Sequence, residues 1–402
     1  MQKKMARNIG GVSFILVSIM LLAALSSILL GRSLSKEEFG EFALMRTLVL
    51  FIAPLAVWGQ DIATARFFSK NDASSFAWNR AFLTIMRIGA PLVIIGIVIA
   101  AIIYDISLFR LFALAIASLC YMSTLFSSNL LRSQRYYKQA ILMLNGFRAV
   151  FFPVLVLLFF TKSLTALAAV VSYYGLIIVF ALFNARYVSK KIPQGQQPVP
   201  RHMHTTGLLF MGSQASATLI GSLDSLFIPG LLDLASLALY QAAVVPSQIF
   251  NILGRAGKYV WVPEFGRSQN IHMKKISIVV SIVAVVLLTA MVVLAEPILH
   301  IIFSGKYDHG AHVLRILALA GAARLFYNLG SSIIVGKMQR DALTWHLGIT
   351  VLMVFVEIGL LVLMLSHFGV FGAALTVLIV TILRTVASFA IIHKFKYQLH
   401  RG

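Results

Sequence analysis

Long apolar runs separated by short polar segments set the pattern of this chain. A membrane-spanning helix needs about 20 mostly apolar residues, because the hydrocarbon layer is about 30 Å thick and a helix rises about 1.5 Å per residue. Twelve stretches meet that requirement: residues 8–30, 42–65, 81–104, 111–131, 140–160, 164–183, 206–231, 237–253, 276–303, 311–335, 343–365 and 370–392. The eighth is short and contains Pro246, and the ninth is interrupted late by Glu296 and Pro297. The first apolar run continues to Leu30 without a small-residue cleavage site, so it reads as a span rather than a signal peptide.

The longest polar segment, residues 184–206, carries three prolines and three glutamines. It is too poor in apolar surface to fold alone, so it reads as a connection between two halves. The expected organisation is a six-helix lobe over residues 1–187, a cytoplasmic linker over 188–205 and a second six-helix lobe over 206–402. "GRSLSKEEFGEFALMRT" after the first span has a weak echo in "GLLDLASLALYQAAVV" after the seventh. Six-span repeats begin on the same side, so the lobes are expected to be parallel and related by a pseudo-twofold axis along the membrane normal. The fold class is therefore an all-α polytopic membrane protein.

Composition agrees: 59% of residues are hydrophobic and 12% charged, against about 25% charged in soluble domains. The 34 Lys+Arg against 13 Asp+Glu would point to nucleic acid in a soluble protein. In a membrane chain it reflects loop topology or an anionic ligand, and nucleic acid is not an expected partner. With the N-terminus inside, 23 basic residues fall in cytoplasmic segments, five in outer loops and six within spans. Both termini are thus expected in the cytoplasm. That places Glu37, Glu38 and Glu41 in the first outer loop, with Phe39, Phe42 and Leu44 at the membrane interface. Cys120 lies alone in an apolar run, and His202 and His204 lie in the linker without companions, so neither a disulfide nor a metal site is expected.

A charge deep in a span costs at least about 2.5–3.5 kcal/mol and usually faces a partner or a wet cavity. Arg46, Arg87 and Arg315 are close enough to span ends to snorkel. Arg148 and Arg324 are too deep, and Arg384 is a third deep candidate. Arg148 shares a helix face with Asn145, and Arg324 with Tyr327 and Asn328. The acids within spans are Asp61, Asp224 and Glu357. Each is either an ion-pair partner, for example Glu357 with Arg324 or Arg384, or a site that takes a coupling proton or sodium ion. A polar face on the seventh span runs through Gln214, Thr218, Gly221, Asp224 and Ser225; the eighth offers Gln241, Gln248, Asn251 and, just beyond it, Arg255. Amides suit sugar hydroxyls, although they also join helices in apolar proteins.

Gly31, Leu34, Phe39, Gly40 and Phe42 after the first helix, with Phe303, Gly305 and Tyr307 in "LHIIFSGKYDHGAHVLRILALAG", give the chain its resemblance to a known family. It resembles polysaccharide flippases of the Wzx, or O-antigen translocase, type in the multidrug/oligosaccharidyl-lipid/polysaccharide exporter superfamily. The resemblance implies a V-shaped pair of lobes around a central cavity lined largely by helices 1, 2, 7 and 8. It also implies transfer of an undecaprenyl-diphosphate-linked oligosaccharide across the cytoplasmic membrane, with membrane lipids and other polysaccharide-assembly proteins as partners.

Arg46, Arg148, Arg324, Arg384 and Arg255 are then candidates for the diphosphate; Asn145, Asn328, Gln214, Gln241, Gln248 and Asn251 are candidates for the sugars. No catalytic residue is expected, no cofactor beyond a coupling ion, and no nucleotide-binding loop is present. A cation-coupled drug exporter would want an anionic cavity, and a glycan polymerase a large outer loop; the sequence supplies neither. Cysteines placed at Ser35 and Ser304 are expected to react with an impermeant thiol reagent from outside intact cells, and one at Gln196 to stay unlabelled. Labelling at Gln196 would reverse the orientation.

Overall fold

The computed structural model describes residues 2–70, 73–198, 207, 211–212, 215–267 and 273–395. Its regular structure is helical apart from one isolated parallel bridge between Phe76 and Gln197. The long helices are α1 (Gln2–Ser33), α2 (Lys36–Ala56), α3 (Gln60–Lys70), α4 (Trp78–Tyr104), α5 (Leu108–Ser133), α6 (Tyr137–Phe160) and α7 (Ala166–Lys191). They continue with α8 (Leu223–Leu231), α9 (Leu234–Arg267), α10 (Met273–Val293), α11 (Ala295–Phe303), α12 (Ala311–Lys337) and α13 (Arg340–Lys394). Ten of the described helices have the length and apolar character to cross a membrane, and α13 counts among them as one 54-residue stretch.

Several expected spans are not single rods. The second breaks at 57–59, where Trp58 and Gly59 both have positive φ, and resumes as α3. The ninth breaks between Val293 and Ala295. The seventh is described at 207, 211–212 and 215–231; it is helical over 215–220 and turns at 221–222 before α8. The eighth is longer than expected: α9 passes through Pro246 and reaches Arg267. A helix in an apolar setting tolerates proline because neighbouring helices satisfy the backbone group that proline frees. The last two spans are joined by a tight turn at Gly369 and are counted together as α13. Gly369, at φ 56° and ψ −140°, reverses the chain inside α13, a conformation that favours a residue without Cβ.

The opening acidic cluster belongs to α2, not to a loop. Only Leu34 and Ser35 separate α1 from α2. Ser35 Oγ accepts from Glu38 N at 3.1 Å and Glu38 Oε2 accepts from Ser35 N at 3.0 Å, a capping box that satisfies two otherwise orphaned donors. Glu41 holds Arg110 of α5 at 2.7 Å. Glu37 and Glu38 in the first turn also suit the positive end of the helix dipole. Phe39, Phe42 and Leu44 are buried in the helix packing rather than placed at an interface. Phe42 stacks on Phe151 at 5.6 Å and meets the edge of Tyr173 at 5.8 Å. Asp233 does for α9 what Ser35 does for α2, with its Oδ1 accepting from Ser236 N at 2.6 Å.

Two compact units emerge, Met1–Ser222 and Leu223–Gly402. The start of the polar connection is bonded to the first of them. Trp78 Nε1 donates to Ile192 O at 3.3 Å, and 75–77 exchange backbone bonds of 2.8–3.2 Å with Gly195 and Gln197. In the first unit α5 is the hub, packing on α2, α3, α4, α6 and α7; in the second, α12 packs on α9, α10, α11 and α13. Each hub is the fourth span of its half, and the pairing of α1 with α6 is matched by α8 with α13. The repeat that was faint in sequence is explicit in packing. Phe42→Ala is expected to remove a fully buried ring and cost about 3–5 kcal/mol, read as a fall in the midpoint of detergent-solubilised unfolding, whereas Ser35→Ala should cost about 1 kcal/mol.

Candidate functional site

Each unit holds its own buried polar cluster. In the first, Arg148 of α6 lies in electrostatic range of the phenols Tyr121 on α5 and Tyr173 on α7. Its guanidinium lies 5.6 Å from the Phe147 ring centroid, and its Nε is buried without a hydrogen-bond partner. Arg46 of α2 does not snorkel outward. It donates from Nη1 to Ser27 Oγ at 3.1 Å, sits 5.8 Å from the Phe42 ring, and acts electrostatically on Arg148 and Tyr173. Tyr174 is engaged by the backbone instead, donating to Met45 O at 2.8 Å. The groups that surround Arg148 are thus aromatic rings, phenol hydroxyls and a second guanidinium. Asn145 is half-buried one turn away on α6.

In the second unit the charges are mixed. Asp224 Oδ1 accepts from Ser225 N at 2.7 Å and Oγ at 3.2 Å, and Oδ2 accepts from the hydroxyl of Tyr240. Gln241 Nε2 donates to Ser225 Oγ at 2.9 Å. Arg324 of α12 donates to Asn251 Oδ1 at 2.9 Å and feels Asp224, Tyr240, Glu357 and Arg384. Glu357 is buried; its Oε2 has no hydrogen-bond partner, and both Arg324 and Arg384 act on it from a distance. Arg384 donates to Tyr327 Oη at 2.7 Å. Asn328 of α12 packs against α9: a Cβ at Gly254 would lie 2.1 Å from its amide nitrogen, so the Asn328 side chain would have to turn aside for one.

The remaining expected residues scatter. Gln214 lies outside the described residues; Gln248 is half-buried on α9 and Arg255 is exposed. Asp61 lies in the first unit, beyond the break in the second span, 3.4 Å from Asn129 Nδ2. Arg315 is at the surface, paired with Glu296 at 2.8 Å.

A family model for polysaccharide biosynthesis proteins matches residues 5–269, about two thirds of the chain. The chain belongs to the polysaccharide biosynthesis protein family. A curated relative, an uncharacterized membrane protein of Methanocaldococcus jannaschii, is 21% identical over 214 residues, covering 50% of this chain and 41% of that protein. The chain therefore spans less than half the length of that relative in the match. Among solved structures, the lipid II flippase MurJ in an inward closed conformation superposes with TM-score 0.72 at 11% identity, covering 96% of this chain and 87% of that one. An outward-facing multidrug-resistance MATE transporter of the MOP superfamily gives TM-score 0.64 at 14% identity, with 97% and 95% coverage. These likenesses show that this family member has the all-helical fold of those transporters.

Sequence reasoning missed the tyrosines. Tyr121, Tyr173 and Tyr240 read as ordinary apolar-span residues, yet the first two face Arg148 and the hydroxyl of the third donates to Asp224. The available signal was a phenol in the middle of a span, where its hydroxyl must find a partner inside the protein. Tyr240→Phe leaves Asp224 with Ser225 alone and is expected to lower stability by about 1–3 kcal/mol; an unchanged unfolding midpoint would show the bond contributes nothing.

Proposed function

We propose that this polysaccharide biosynthesis family member is a flippase for an undecaprenyl-diphosphate-linked oligosaccharide, acting by alternating access in the cytoplasmic membrane with both termini inside. The observation that carries this reading is the first-unit cluster, in which two guanidiniums, Arg46 and Arg148, lie in electrostatic range among tyrosine hydroxyls and rings. Two like charges brought together in an apolar bundle raise each other's energy, and a bound diphosphate lowers it. Guanidinium keeps its charge and can make paired bonds to phosphate oxygens. The fold shared with the lipid II flippase MurJ supports the same class of cargo. The fold is also shared with a multidrug MATE transporter, but a cationic drug would be repelled by this cluster.

As candidates for the glycan the first unit offers Asn145, and the second offers Gln241, Gln248, Asn251, Arg324, Asn328 and Arg255. The second unit supplies the coupling. Asp224 and Glu357 are carboxylates within electrostatic range of each other and of Arg324, so uptake of a proton or sodium ion would change the net charge that Arg324 meets. Asp61, in the first unit, is a further coupling candidate.

Deleting the gene is expected to leave a lipid-linked glycan on the inner leaflet, and its chemical identification names the cargo. Arg148→Gln should lower transport about 10- to 100-fold, the worth of one or two charge-assisted hydrogen bonds, at near-normal protein level, with Arg148→Lys intermediate. Full export by Arg148→Gln would remove that residue from the cargo site. Asp224→Asn should abolish the response of flipping to an imposed proton or sodium gradient in proteoliposomes. Equal rates with and without gradients in the unaltered protein would defeat coupling.

A further inference from the structure

The second unit holds a group of cations around one aromatic ring, which adds Lys258 and His346 to the diphosphate candidates Arg384 and Arg255. Tyr327 of the hub helix α12 is its centre. Arg384 bonds the Tyr327 hydroxyl and lies 4.2 Å from the ring centroid. Lys258 of α9 places Nζ 5.7 Å from the same centroid, and His346 of α13 lies nearly parallel to the ring at 6.2 Å and 26°. Arg384 and Arg255 both act on Lys258, while Arg384 and Lys258 both act on His346. Among the described residues, the carboxylate that reaches this group is Glu357, which acts on Arg384 and divides its charge with Arg324. Arg384 Nε is buried with no hydrogen-bond partner.

Exposed side chains adjoin the group. Trp345, next to His346, is 51% exposed, and Lys394 from the far end of α13 lies 3.7 Å from its ring. Lys394 is exposed, Lys258 and His346 are partly exposed, and Arg384 lies beside the buried Tyr327. On the two arms of α13, Phe355, Val386 and Phe389 are exposed apolar side chains of the kind that face acyl chains. An ammonium, a guanidinium with an unused N–H and a phenol around one ring match the oxygens of a phosphate ester; guanidinium supplies directed bonds and ammonium a point charge.

We propose that Lys258, Tyr327, His346 and Arg384 form a binding site for a phosphate-bearing anion, adjoined by Trp345 and Lys394. The site is separate from the Arg46 and Arg148 cluster, and it stands whether or not the protein moves a lipid-linked glycan. The same chemistry can be supplied by the headgroup of an anionic phospholipid or by free phosphate.

The test uses the full-length purified protein and contains no lipid-linked glycan, so failure of the flippase reading cannot alter its result. In the first arm, the protein is passed through nanodiscs of phosphatidylglycerol or phosphatidylcholine and retained lipid is counted by native mass spectrometry. In the second, delipidated protein in neutral detergent is titrated with inorganic phosphate, or with chloride at equal ionic strength, and the unfolding midpoint is followed. We expect at least about tenfold preferential retention of phosphatidylglycerol, lost in Lys258→Gln and Arg384→Gln, partly kept in Arg384→Lys, and unchanged in Arg148→Gln. Stabilisation by phosphate alone, lost in Lys258→Gln, also supports the site and assigns it to the soluble anion. Lys258 is partly exposed, so its replacement tests the site even if Arg384→Gln fails to fold. The proposal is overturned if neither probe separates the unaltered protein from Lys258→Gln, or if Arg148→Gln abolishes the preference equally.

Discussion

The cost of holding a guanidinium away from water governs how this protein is built. Each deep arginine must find oxygen acceptors or ring faces inside the helix packing, and the helices that supply them differ between the two units. Arg148 is met by tyrosines from α5 and α7, Arg324 by an amide from α9, and Arg384 by a tyrosine from α12. In every case the partner comes from, or contacts, the hub helix of its unit. The hubs can lie so deep because they are lined with small and apolar residues: Ala318, Ala320, Gly321 and Ala322 on α12 let neighbours close to packing distance.

The two units repeat a common packing plan but spend their polar residues differently. The fifth span of the first half carries Arg148, and the fifth of the second half, the first arm of α13, carries Glu357. The same structural element therefore brings a cation in one half and a carboxylate in the other. An ancestral duplication would explain the shared packing, and the charge carried by this element has diverged between the halves. Such a divergence needs no change in helix arrangement, only substitutions at positions already turned inward.

How much of this was readable beforehand depended on the length scale of the signal. Span positions followed from runs of about twenty apolar residues, which no soluble element imitates. The break at Trp58 and Gly59 did not, because it leaves hydropathy almost unchanged while altering backbone angles, whereas Glu296 and Pro297 marked the late interruption of the ninth span, which falls at Leu294. The acidic triplet was placed in a loop because glutamates are polar, but Ser35 three residues before Glu38 already had the spacing of a capping box. Deep arginines were found from sequence since each is costly by itself. Their partners were not, since a tyrosine is cheap in a span and reveals its role only when a neighbouring helix delivers the charge.

The reversal at Gly369 ties the two arms of α13 together. Trp345 and Lys394 touch although 49 positions separate them, so the two arms of α13 run back along each other from that one glycine. A Cβ at Gly372 would lie 2.0 Å from Met364 O, which leaves no slack on the return side. So short a turn fixes the register of the two arms, and any sliding of one along the other would have to be absorbed at Gly369 itself.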